Sequence, residues 1–250
     1  KLNFLTYLSG KTFDSLDEDP LKRKFLNYEI IVNTLASDDI KLKYEVFNRI
    51  NTWWVNLSNQ EVRNSIILNY NEDLFEKLIW LKEHPSFNKI LQLSDELKQE
   101  EKDMEYVLRF FALHTLGQKQ EKNEIKVSSV KELLDNEMFN LINLDKENIT
   151  KKIHLFNNIF ELIKDDENIL KRDSKWRVLI PAFDTILAWL SCNFKDDRFC
   201  SSKLKPEIHK EILQRVKHLF HNDVFNYHTW TPWYVEHKLE YWVKIWIKWF

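Results

Sequence analysis

The sequence predicts a mainly α fold of one or two helical bundles, with a single N-terminal strand. Three observations lead there. From Ile40 almost to the C-terminus, apolar residues recur at spacings of three and four, which is the period of an amphipathic helix. At 250 residues the chain has ample apolar content for a core. Only Tyr28–Leu35 (YEIIVNTL) has the β-branched composition of a strand, and no further strand is apparent to pair with it.

In chain order, Lys1–Gly10 opens on the apolar run Phe4, Leu5, Tyr7 and Leu8 without an initiator methionine, and reads as a fragment. Pro20 stands near the start of a helix-like segment. After the strand, the periodicity predicts helices at 42–51, 59–69, 72–83, 86–97, 103–117, 129–136, 138–143, 147–165, 177–194, 206–221 and 234–249. In the 103–117 helix, Met104, Val107, Leu108, Phe111, Ala112 and Thr115 form one apolar face, so this helix belongs at the centre of the core. Gln118–Lys126 is polar and lacks periodicity, and reads as a linker between two helical halves. The resulting division is 1–38, 39–120 and 127–250, and no fixed-period repeat is visible.

The bulk charge excludes a general nucleic-acid field. With 37 basic and 39 acidic residues the net charge is −2, so any contact with DNA has to come from a local patch. Cys192 and Cys200 are the only cysteines, which fits a reducing cytoplasm better than a disulfide framework. There is no signal peptide and no run of eighteen apolar residues, so the expectation is a soluble cytoplasmic protein with no membrane contact.

The most informative stretch is Val46–Asn64, VFNRINTWWVNLSNQEVRN. It reads as a helix, a turn and a second helix opened by Ser58 with Glu61 three residues on, the pattern of a capping box. Arg49, Asn51, Gln60 and Arg63 crowd the bend and form a candidate nucleic-acid or phosphate-binding corner, because guanidinium forks and a helix N-terminus both favour negative charge. The competing reading is that these side chains hold the bend itself, with Arg49 paired to a carboxylate.

The run Arg-Ile-Asn-Thr, two residues, Val-x-Leu-Ser-x-Gln-Glu-x-Arg-Asn resembles the motif of the GmrSD-type restriction endonuclease N-terminal family, ending here at Asn64. Lys11–Val32 (KTFDSLDEDPLKRKFLNYEIIV) looks like the segment leading out of that family's ParB-like first domain, and Asp103–Leu113 (DMEYVLRFFAL) like its following helix. The likeness covers the first half of the chain well and the second half only as a loosely similar set of helices. The family's Asp-Gly-Gln-Arg motif is not found, and Trp53-Trp54 stand where the family has two glycines suited to a tight bend.

The resemblance implies the helical, DNA-associated or regulatory part of a modification-dependent restriction or phage-defence protein, coupling nucleotide and DNA sensing to assembly. It implies a chain that begins after the nucleotide-binding part and is inert alone. No cofactor is expected in this chain, with NTP and Mg belonging to the parent family, and modified DNA is the expected partner.

Arg109 and His114 form an Arg-x4-His pair resembling the ribonuclease motif of the all-helical HEPN domains, in which His is the acid/base and Arg the phosphate clamp. This gives the alternative function, a helical ribonuclease toxin. Against it, Phe110 follows the arginine where those proteins generally have a polar residue, and five helical steps do not bring the two side chains squarely onto one face. Without a site of either kind, the chain reads as a non-catalytic interaction scaffold.

His209, His218, His221, His228 and His237 with Cys192 and Cys200 lack any zinc-site spacing, so no metal is expected. Lys203, Lys205, Lys210, Arg215 and Lys217 are interleaved with Glu207 and Glu211, as on a solvated amphipathic helix. The tail packs Trp242, Trp246 and Trp249 beside Val235, Leu239 and Ile245. So apolar a chain end predicts docking on its own core or on another subunit, as a homo-oligomer or partner interface.

Overall fold

The computed structural model describes residues 6–16, 20–30, 32, 37–51, 57–120, 129–166, 168–171, 178 and 180–193, with positions 210, 213 and 214. The described residues form ten α-helices and two short 3-10 turns, with no strand. The molecule is mainly α, as the apolar periodicity predicts. Two compact units are distinguished, Lys1–Glu45 and Val46–Phe250.

In the first unit, a 3-10 turn at Phe13–Leu16 packs against α1 (Pro20–Leu26). The Phe13 and Phe25 rings lie 5.5 Å apart, and Lys22 Nζ sits 5.0 Å from the Phe13 ring centre. The strand expected at 28–35 does not appear among its described residues. Tyr28, Ile30 and Val32 are all at least 75% exposed, and a strand without a neighbour leaves its backbone ladder unmade whatever its β-propensity.

The second unit takes in the end of α2 (Ile40–Asn51) and then α3 (Asn59–Tyr70), α4 (Glu72–Lys82), α5 (Pro85–Leu91), α6 (Asp95–Gln99), α7 (Lys102–Gln120), α8 (Val130–Ile142), α9 (Lys146–Ile163) and α10 (Ile180–Asn193). Helix α7 is the hub and packs against α10, α8, α4, α6 and α3, while α9 packs on α10, α5 and α4. Its burial runs further round than the one face read from sequence. Phe110, Leu113 and Leu116 are buried along with Met104, Val107, Leu108, Phe111 and Ala112, because neighbours cover α7 on several sides. Since α7 packs on both α8 and α10, helices read on either side of a linker share one core.

Phe87 from α5, Phe110 and Phe111 from α7, and Phe156 and Phe160 from α9 form a continuous aromatic cluster, with centroid spacings from 4.5 Å for Phe156–Phe160 to 5.9 Å for Phe111–Phe156. Where α7 crosses α10, Gly117 permits close approach: a Cβ there would stand 2.2 Å from Cys192 Sγ.

Two boundaries differ from the sequence reading for local reasons. The helix expected at 86–97 is two, because Gln92 caps α5 in the left-handed region at φ 47° and Ser94 then caps α6 with an extended backbone. The helices expected at 129–136 and 138–143 are one, α8, opened by Ser129 Oγ accepting from Glu132 N. Helix α7 runs on to Gln120, into the segment read as a linker. The Trp-rich tail lies outside the described residues, and no described helix is long and apolar enough to cross a membrane.

Candidate functional site

The expected capping box forms at the start of α3. Ser58 holds an extended backbone at ψ 156°, its Oγ accepts from Glu61 N at 3.2 Å, and its own N–H donates to Glu61 Oε2 at 2.6 Å. One turn of helix then delivers Gln60, Arg63 and Asn64 inward. Gln60 and Arg63 are each only 1% exposed.

Arg63 Nε donates to Asp135 Oδ1 on α8 at 2.7 Å, and its two terminal nitrogens donate to Gln60 Oε1 and to the Lys131 carbonyl. Gln60 Nε2 donates to Asn64 Oδ1 at 2.8 Å, and Asn64 Nδ2 donates to Glu101 Oε2 at 3.4 Å. Lys82 Nζ closes the chain, 3.1 Å from Glu101 Oε2 and 3.8 Å from Asp103 Oδ2. A guanidinium buried this deeply needs a carboxylate and acceptors around it, and α8 and the α3 turn supply them. The corner therefore ties α3 to α8 and to the α6–α7 junction.

The structure brings Gln60, Arg63 and Asn64 together with Ser58 and Glu61, whereas Arg49 is exposed on α2 and Asn51 is the last residue of that helix. The connecting residues 52–56, with Trp53 and Trp54, lie outside the described residues.

Arg109 sits on the side of α7 that faces α10. Its Nε donates to Asp184 Oδ1 at 2.5 Å and one terminal nitrogen to Asp184 Oδ2 at 2.9 Å, a two-pronged pair. Glu105 Oε1 lies 3.9 Å from its other terminal nitrogen. Burial opposes the charge on Arg109, but the Asp184 carboxylate outweighs it and holds the guanidinium above its ordinary range. Beside the pair, burial pushes the Tyr106 phenol up to about 12.

His114 is 6% exposed, with Nε2 3.0 Å from Gln118 Nε2. A ribonuclease pair has to present imidazole and guanidinium together to a ribose and its phosphate. Here both lie in the interior, and the guanidinium fork closes on Asp184.

Among the described residues, no three His, Cys, Asp or Glu side chains are grouped to hold a metal. Cys192 stands on α10, and its Sγ lies 4.0 Å from the His114 carbonyl. Cys200, His209, His218, His221, His228 and His237 lie outside the described residues, as do Lys203, Lys205, Arg215 and Lys217; Lys210 is exposed.

Sequence reasoning overlooked the carboxylates. Asp184 stands in the apolar run Ile-Pro-Ala-Phe-Asp-Thr-Ile-Leu-Ala-Trp-Leu, and a charge inside such a run calls for a buried partner, which was the available signal. Asp135 and Glu137 carry no comparable signal, since α8 is polar enough for either to read as a surface residue. Glu137 is nonetheless 3% exposed and accepts from Lys152 Nζ at 2.9 Å, which also reaches Thr115 Oγ1. Comparison with protein-family models, curated proteins and solved structures finds no match to this chain.

Proposed function

We propose that this chain is a non-catalytic helical scaffold, the regulatory or DNA-associated part of a restriction or phage-defence protein of the GmrSD type. The family assignment rests on the Arg-Ile-Asn-Thr and Gln-Glu-x-Arg-Asn residues ending at Asn64. One observation supports the scaffold role: Arg63 and Arg109, the arginines of the two candidate sites, are 1% and 4% exposed and are paired with Asp135 and Asp184. Side chains used this way brace helices. On this reading any contact with DNA runs through exposed cations, and Arg49 on α2 is the one in the motif.

Binding of the full chain to modified and unmodified double-stranded DNA across a salt series tests the reading. The expectation for a DNA-associated scaffold is weak, salt-dependent binding that Arg49→Ala reduces. No binding at low salt would remove the DNA association and leave a scaffold for protein partners. RNA cleavage by wild type, lost in a folded His114→Ala variant, would overturn the scaffold reading in favour of the ribonuclease.

A further inference from the structure

The corner where α4 turns into α5 holds a group of polar and ionisable side chains with no part in the sites above. The chain leaves α4 at Lys82, and His84 becomes the capping residue of α5, with Pro85 first in that helix. His84 makes no side-chain cap, and its Nδ1 is buried with no hydrogen-bond partner. The ring lies edge-on to Trp80, with centroids 5.8 Å apart at 74°.

Two residues on, buried Ser86 donates its hydroxyl to Glu161 Oε1 on α9, and the other oxygen of Glu161 accepts from Lys164 Nζ at 2.7 Å. One turn earlier on the same face of α9, Asn157 Oδ1 is also buried and without a partner. The charged groups that act on His84 are Glu161 on α9 and Lys164 at its C-terminal cap, while Trp80 faces it from α4.

We propose that this corner is a pH-sensitive latch: the neutral His84 ring closes α5 against α9, and protonation of that ring loosens α5. A neutral imidazole leaves one nitrogen dry at Nδ1. The imidazolium would instead place a charged N–H there, with no acceptor in reach. Glu161 is the carboxylate at hand, yet it already holds Ser86 and Lys164, and Lys164 repels a new positive charge.

The protonated ring must therefore swing to water, which withdraws it from the corner, or draw Glu161 off Ser86, which cuts the tie between α5 and α9. Burial lowers the affinity of His84 for a proton, Glu161 raises it and Lys164 lowers it again, with a net pKa below the ordinary 6.5. The closed latch thus binds fewer protons than the open one, so acid favours opening. The exposed part would include Phe87, whose ring lies 5.4 Å from Phe156 and 5.1 Å from Phe160.

Amide hydrogen exchange on the full chain, read as protection factors at pH 7 and pH 5.5 beside an NMR titration of the His84 ring, tests the latch. The ring is expected to titrate below the ordinary range, and α5 amides to lose protection severalfold, with a ceiling of about eightfold for a closed ring that stays neutral at pH 5.5. Amides of α7 and α9 should lose much less, and the α5 loss should vanish in His84→Gln. In Lys164→Gln, at a half-exposed position, the ring should titrate closer to 6.5 and the α5 loss should shrink. A ring that titrates at or above the ordinary value, α5 protection that falls only in step with the whole bundle, or a loss that persists in His84→Gln would each overturn the proposal.

Discussion

Arg109 on α7 and Asp184 on α10 meet through two parallel hydrogen bonds, of 2.5 and 2.9 Å, in the contact between the hub helix and its main neighbour. Both are more than nine-tenths buried. The pair satisfies two charges that would otherwise have to leave the interior, and by its geometry it sets how α10 sits on α7.

Removing one partner of this pair strands the other. Arg109→Ala or Asp184→Ala should each cost about 3–5 kcal/mol, seen as a lower urea midpoint. The apolar swap Arg109→Met with Asp184→Leu should recover most of that loss, because a buried ion pair adds little over well-packed apolar side chains.

At the same contact, Gly117→Ala should destabilise. Its Cβ would sit 2.2 Å from Cys192 Sγ, and overpacking of this kind costs about 1–3 kcal/mol. Cys192→Ala in the same background removes the obstructing sulfur. The double variant should then approach or exceed wild type, since Ala is favoured over Gly inside a helix by about 1 kcal/mol. Thermal melts of wild type and the two variants check the order.

Ser58→Ala should cost about 1 kcal/mol through loss of the cap. Arg63→Ala should cost more than Ser58→Ala, because it leaves Asp135 and Gln60 with a missing donor inside the bundle. Chemical denaturation of both variants gives the comparison.

Tyr106 makes stability depend on alkaline pH. Its folded pKa is raised from 10.0 to about 12, with burial as the main cause, Arg109 opposing and the Asp184 and Glu105 carboxylates adding. The unfolded chain therefore releases this proton first. The contribution is fully present below pH 10 and is lost as pH rises toward 12. Tyr106→Phe keeps the ring against Phe183, 4.7 Å away, and removes the titration. Between pH 9 and pH 11, the Tm of wild type should fall further than that of Tyr106→Phe.

Most of the helices were legible because their signals are local. The Ser58 and Glu61 capping box and the apolar positions of α7 follow from spacings within one or two turns. The break at Gln92 was not, because a left-handed residue that is not glycine leaves no mark, while Ser94 followed by Asp95 was the start signal passed over. The expected strand failed for the opposite reason: composition offers β-propensity, but a strand needs a partner that composition does not supply.

The site candidates were legible as residue types and illegible as roles. Arg63 lies 72 positions from Asp135, and Arg109 lies 75 from Asp184, so no local pattern links them. An arginine awaiting phosphate and an arginine paired inside a bundle look alike until the topology brings a carboxylate to one of them.

The measurement that bears most directly on the scaffold account is a double-mutant cycle on Arg109 and Asp184, by urea unfolding of wild type, Arg109→Met, Asp184→Leu and the double variant. If the pair is a brace between α7 and α10, the coupling energy should be about 2 kcal/mol or more. Losses that add to within about 0.5 kcal/mol would mean that the two residues do not support each other, and that Arg109 is held in the interior for some purpose other than the fold.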